Sequence, residues 1–187
     1  MKKQTSTGFT IVELLIVIVV IGILAAITIV AYNGVQGRAR DTQRIADLKG
    51  IAKALEVYKI NNGAYPTPVS TPNASSWEVS TNGSNVATNF LSALVSTNGV
   101  SKVPVDPTNT GVTLNPSFNS ATYEYFYYVY AAGTSGCDPA RGAFYILGAT
   151  RMDSVPAGQN SAASPGFSCP SRDWAVNGAW VTGGFTN

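Results

Sequence analysis

An apolar run near the N-terminus constrains this chain more than any other feature. A short polar leader, MKKQTSTG, passes straight into FTIVELLIVIVVIGILAAITIVA, where Glu13 is the single charged residue. From Leu14 to Ala31, 18 residues carry no charge. At about 1.5 Å per residue they reach roughly 27 Å, close to the hydrocarbon thickness of a bilayer. A helix of this composition is expected to enter a membrane. Lys2 and Lys3 have no acid beside them, so charge bias holds that end in the cytoplasm and sends the remainder outward.

A secretory signal places its small-residue cut after the apolar region. Ala25-Ala26 fits that role poorly, because Ile27, Ile29 and Val30 would be left as a hydrophobic stump. The better cut lies between Gly8 and Phe9, and it keeps the whole helix in the mature chain. Basic leader, Gly8, Phe9, Thr10 and Glu13 as the fifth residue after that cut resemble the N-terminus of type IV pilins and pseudopilins. The resemblance implies leader removal at Gly8 by a prepilin peptidase and methylation of the new amine on Phe9. It also implies assembly of subunits through their N-terminal helices, driven by an inner-membrane platform and an ATPase motor.

Glu13 has a physical reading beside the implied one. An ionised side chain at mid-membrane costs on the order of 2.5 to 3.5 kcal/mol, and less near the interface. In a stack of helices it can meet the positive amine of Phe9 on a neighbour, where low dielectric strengthens attraction. Such a pair also penalises wrong axial registers, as a lone polar residue does in a coiled-coil core. The alternative is an interfacial acid without a partner. Filament assembly is the role expected of Glu13.

The sequence DTQRIADLKGIAKALEVYKINNG, from Asp41, places Ile45, Leu48, Ile51, Ala52, Leu55 and Tyr58 at spacings of three and four. That is one apolar stripe of an amphipathic helix, suited to lie on a folded head. Gly34 and Gly37 mark where the helix is expected to bend or melt, with Asp41 capping a restart. Asn62-Gly63 reads as a glycine stop and Pro66 prevents continuation. Helical throughout, residues 9–61 would extend about 80 Å.

The expected organisation is therefore leader 1–8, helix 9–61 (9–31 transmembrane, 32–61 an amphipathic stalk) and head 62–187. The fold class is α+β, a long N-terminal helix packed on a small antiparallel sheet, type IV pilin-like. Two aromatic and β-branched runs, 121–132 and 142–153, are expected strands, and Asn177-Gly178 between WAV and AWV is a hairpin signal. Residues 67–89 read as loop and include the triplets Asn73-Ala74-Ser75 and Asn82-Gly83-Ser84. A short helix is expected around Val86, Phe90, Leu94 and Val95. The NGAYP and VPVDP turns are similar to those of major pseudopilins of type II secretion, some of which hold calcium nearby. Asp106 alone among weak ligands does not make such a loop, so no metal is expected.

Charge restricts the partners. Without Lys2 and Lys3, ten bases face ten acids, a balance that gives no overall argument for a nucleic-acid or acidic partner. The distribution is uneven. Between 32 and 60, Arg38, Arg40, Arg44, Lys49, Lys53 and Lys59 face Asp41, Asp47 and Glu56, whereas residues from 61 onward carry a net charge of −2. A basic stalk beside an acidic head is either a solvated helix face or a lateral packing, headgroup or DNA contact. Cys137 and Cys169, the two cysteines of the chain, are expected to pair as a disulfide in an exported domain. The absence of histidine removes Ser-His-Asp, Cys-His and imidazole–metal chemistry, and no phosphate-binding glycine loop is present. The chain is read as no enzyme, with no cofactor.

Two function classes fit. One is a structural subunit of a type IV pilus or related filament, including the type II secretion pseudopilus. It waits in the inner membrane among lipids, with its head outside the cytoplasm, before joining an extracellular or periplasmic fibre. The other is a membrane-tethered minor pilin-like adhesin or DNA-uptake component.

Overall fold

A computed structural model describes residues 10–68, 77–80, 90–97, 100–110, 116, 118 and 122–187. The chain divides into two units, 1–37 and 38–187. The long helix α1 runs Ile11–Asn62 and continues through Gly34 and Gly37, so the helix does not melt there. Backbone hydrogen bonding within one long helix outweighs the cost of two glycines, each roughly 1 kcal/mol against alanine. It ends as expected. Gly63 takes φ +78°, and its N–H donates to the Lys59 carbonyl at 2.7 Å, a left-handed stop that favours glycine.

In the first unit, every described residue from Thr10 to Ile29 is exposed. The second unit builds its own core from the C-terminal part of α1 and a sheet. The strands are β1 (Glu78–Val79), β2 (Tyr125–Tyr130), β3 (Phe144–Ala149), β4 (Ser168–Cys169), β5 (Arg172–Asp173) and β6 (Trp180–Phe185). The short helix α2 spans Ser92–Thr97. Four strands form an antiparallel sheet in the order β1-β2-β3-β6, and β4 pairs with β5 in a separate two-stranded ribbon.

Strand alternation sorts the side chains onto two faces. Tyr125, Tyr127, Tyr145, Leu147 and Trp180 join Leu48, Ile51 and Leu55 of α1 in one cluster, which also takes Phe90, Leu94 and Val103. The expected stripe is thus the face buried on the sheet. Phe126, Phe144, Ile146 and Val181 face the other way, against Trp174, Cys137 and Cys169. The aromatic strand has a covered second face instead of an open one. Gly148 makes this possible: a Cβ there would lie 2.5 Å from Phe126 Cζ and would also strike the Trp180 carbonyl.

Three expectations change. The strands are shorter than the runs 121–132 and 142–153. The WAV-NG-AWV hairpin does not form, because Trp174 is buried in the second cluster and Ala175–Asn177 close a 3-10 turn. Residue Gly178 instead takes an extended conformation ahead of β6, which pairs with β3. Val95 is 42% exposed although Leu94 beside it is buried. The two Asn-x-Ser triplets and Val86 lie outside the described residues.

Candidate functional site

The N-terminal site can be described from Thr10 onward; Gly8 and Phe9 lie outside the described residues. Thr10 and Glu13 close a reciprocal cap at the start of α1. The Thr10 N–H donates to Glu13 Oε2 at 2.8 Å, and the Glu13 N–H donates to Thr10 Oγ1 at 3.3 Å. The Thr10 hydroxyl donates to the same carboxylate at 2.7 Å. This is the Thr-x-x-Glu capping box, legible in the spacing but not anticipated from it. Glu13 therefore satisfies one otherwise unpaired backbone donor, the Thr10 N–H, while its side chain stays exposed. Glu13 apart, the helix is apolar all round from Ile11 (84% exposed) to Ile29 (62%). A helix hydrophobic on every face needs lipid or other helices around it. Its length and apolar composition are sufficient to cross a membrane.

The second unit holds a buried ionic cluster that sequence reasoning missed. Arg44 is among its largest fully buried side chains. Its Nε donates to Asp106 Oδ2 at 2.8 Å, and its Nη1 donates to Asp41 Oδ1 and Asp153 Oδ2, both at 2.7 Å. Nη2 donates to the Thr108 hydroxyl at 2.8 Å, and the guanidinium lies 4.7 Å from the Tyr123 ring centroid. The planar fork of arginine reaches three carboxylates and a hydroxyl at once, which a lysine ammonium cannot. Asp41 does not cap a restarted helix; it accepts from the backbone N–H groups of Asp153 (2.8 Å) and Ser154 (2.7 Å). The cluster joins α1 to the turn holding Asp106 and to the segment after β3.

Arg40 and the Tyr123 hydroxyl also donate to Asp153, each at 2.9 Å. Burial alone would raise the Asp153 carboxyl, but the hydrogen bonds from Arg40, Arg44 and Tyr123 outweigh it and hold the group well below the usual carboxylate range. Burial pushes the Asp47 carboxyl up, partly offset by the Tyr125 hydroxyl. Among the described residues no group of three His, Cys, Asp or Glu is placed to hold a metal ion. The three aspartates are bridged by a guanidinium instead.

This burial changes the charge picture drawn from composition. Glu78, Asp106 and Glu124 are buried and Asp153 is half-buried, leaving Asp138 and Asp173 as the exposed acids of the described head. On the stalk, Arg44 is buried and Arg40 pairs with Asp153, whereas Arg38, Lys49 and Lys53 are exposed. The expected acidic head presents few acids to solvent. Cys137 and Cys169 form a disulfide across a separation of 32 residues, with Cα atoms 5.0 Å apart. It fastens the segment after β3 beneath the second face of the sheet, where both cysteines pack with Trp174 and Phe144.

Comparison with known proteins places the N-terminal features in context. A family model described as the prokaryotic N-terminal methylation motif matches residues 3–29. Type II secretion system core protein G of Pseudomonas aeruginosa is 39% identical over 67 residues, 36% of this chain and 47% of that protein. The proteins of the same name from Vibrio cholerae (37% over 66 residues, 35% of this chain and 45% of that protein) and Escherichia coli K12 (37% over 60 residues, 32% and 41%) are similar. The chain spans about half the length of these curated relatives. No solved structure matches it. The N-terminal part of this chain, with its methylation motif, is thus similar to type IV pilins and pseudopilins, and the long N-terminal helix and small antiparallel sheet are consistent with the α+β fold expected from that likeness.

Proposed function

We propose that this chain is a structural subunit of a type IV pilus or related filament. It is cut between Gly8 and Phe9, methylated on Phe9, and assembled through its N-terminal helix. The observation that carries the reading is a methylation motif at the start of a helix whose apolar side chains from Ile11 to Ile29 are all exposed. Before assembly those side chains rest in lipid, with the head outside the cytoplasm. In the fibre they meet the same surfaces of other copies, and packing replaces lipid contact. Glu13 then exchanges its local cap for the amine of a neighbouring Phe9.

The partners of this reading are further copies of the chain, a prepilin peptidase and methylase, and an inner-membrane platform with an ATPase motor. The core protein G relatives favour a secretion pseudopilus as the particular filament. Shearing cells and separating released fibres from membranes tests the proposal. The chain is expected as a repeated component of the fibres, or of periplasmic fibres on overexpression. Recovery from membranes alone, in single copies, would support a tethered binding domain instead.

A further inference from the structure

Some of the major pseudopilins whose turns this chain resembles hold calcium, and here the corresponding VPVDP turn carries Asp106. Calcium takes roughly six to eight oxygen ligands at about 2.3 to 2.6 Å, from carboxylates, carbonyls and water. The fold does bring three carboxylates together: Asp41 from α1, Asp106 from the turn and Asp153 from the segment after β3. Both oxygens of each one already accept hydrogen bonds from the protein.

Asp106 Oδ2 accepts from Arg44 Nε at 2.8 Å. Its Oδ1 accepts from Arg44 Nη2 (3.2 Å) and from the backbone N–H groups of Thr108 (2.8 Å) and Asn109 (3.2 Å). Asp41 Oδ1 is shared by Arg44 Nη1 and the Asp153 N–H, and Oδ2 takes the Ser154 N–H. Asp153 Oδ2 accepts from Arg40 and Arg44, and Oδ1 from the Tyr123 hydroxyl. The Arg44 and Asp106 side chains have no exposed surface. This donor set does not fit calcium. An ion could enter only by displacing a guanidinium that stays charged at any working pH and is tethered to α1.

We infer that Arg44 is the resident cation of this head, tying α1, the Asp106 turn and the segment after β3 together so that the head needs no divalent ion. A bound ion stabilises by mass action, and its contribution fades once its free concentration falls below the dissociation constant. A guanidinium carried by the chain is present in fixed ratio, so its contribution depends on no ion in the medium. Arg40, which also pairs with Asp153, supplies the second positive charge among the three acids. A neutral residue at 44 would leave buried carboxylates uncompensated and open to an added cation. The inference concerns how the head is held together and does not depend on the filament reading.

The full-length chain in detergent would be melted in EDTA and in millimolar calcium, with calcium binding followed by isothermal titration, and Arg44→Gln treated alike. The unsubstituted chain is expected to melt at one temperature in both solutions and to bind no calcium. Arg44→Gln is expected to melt several degrees lower in EDTA and to regain part of that loss in calcium. Stoichiometric calcium binding by the unsubstituted chain, or a lower melting temperature for it in EDTA, would overturn the inference. So would an Arg44→Gln chain that melts like the unsubstituted one or gains nothing from calcium. The unsubstituted chain decides the question even where Arg44→Gln does not fold.

Discussion

Arg44 and Asp106 stand 62 residues apart in sequence, yet Nε meets Oδ2 at 2.8 Å with both side chains fully buried. Removing one partner of a buried pair leaves the other uncompensated, at a cost of about 3–5 kcal/mol. Arg44→Met is expected to lower head stability by that amount in urea unfolding. Arg44→Lys should recover only part of it, because an ammonium cannot serve three carboxylates in one plane.

The same cluster sets an acid limit. The folded Asp153 carboxyl lies below its unfolded value of about 3.9, so its contribution is present above that pH and disappears as the pH falls through the lower range. The melting temperature should drop between about pH 5 and pH 2. In Tyr123→Phe, which removes one donor to Asp153, that drop should shrink.

The Cys137–Cys169 bond closes a loop with a sequence separation of 32 residues. In the chain-entropy account such a loop stabilises by roughly 3 to 4 kcal/mol. The double replacement Cys137→Ser, Cys169→Ser should lose about that much in chemical denaturation. Reductant should lower the stability of the unsubstituted chain similarly and leave the serine variant unchanged.

Glu13 offers two separable roles. Glutamine also completes a capping box, so Glu13→Gln keeps the hydrogen bonds to Thr10 and removes the charge. Glu13→Ala removes both. If the charge drives assembly, both variants should insert into membranes normally and give a similar, severalfold loss of fibres. Normal fibre yield from Glu13→Gln would assign the residue to capping alone.

How much was legible in the sequence follows from how local each signal is. The apolar run, the stripe from Ile45 to Tyr58 and the stop at Gly63 depend on neighbours within a few residues, and each stands where the spacing put it. The capping box is equally local, since its Thr-x-x-Glu spacing lies within Thr10–Glu13. The Arg44 cluster is different. Asp41 is three residues away, but Asp106 and Asp153 reach Arg44 only through the tertiary fold. Composition likewise counted acids that the fold buries, such as Glu78 and Glu124, and so mistook the character of the head surface. The false hairpin at Asn177-Gly178 shows tertiary packing overriding turn chemistry, since burial of Trp174 outweighs a two-residue turn.

The central claim is that the apolar helix survives processing and becomes the packing element of a polymer. Intact-mass and N-terminal fragment analysis of the chain recovered from sheared fibres tests it most directly. The account predicts a chain that begins at Phe9, carries one added methyl on its amine and retains residues 9–31. A fibre-derived chain that lacks this stretch, or that still carries residues 1–8, would contradict it.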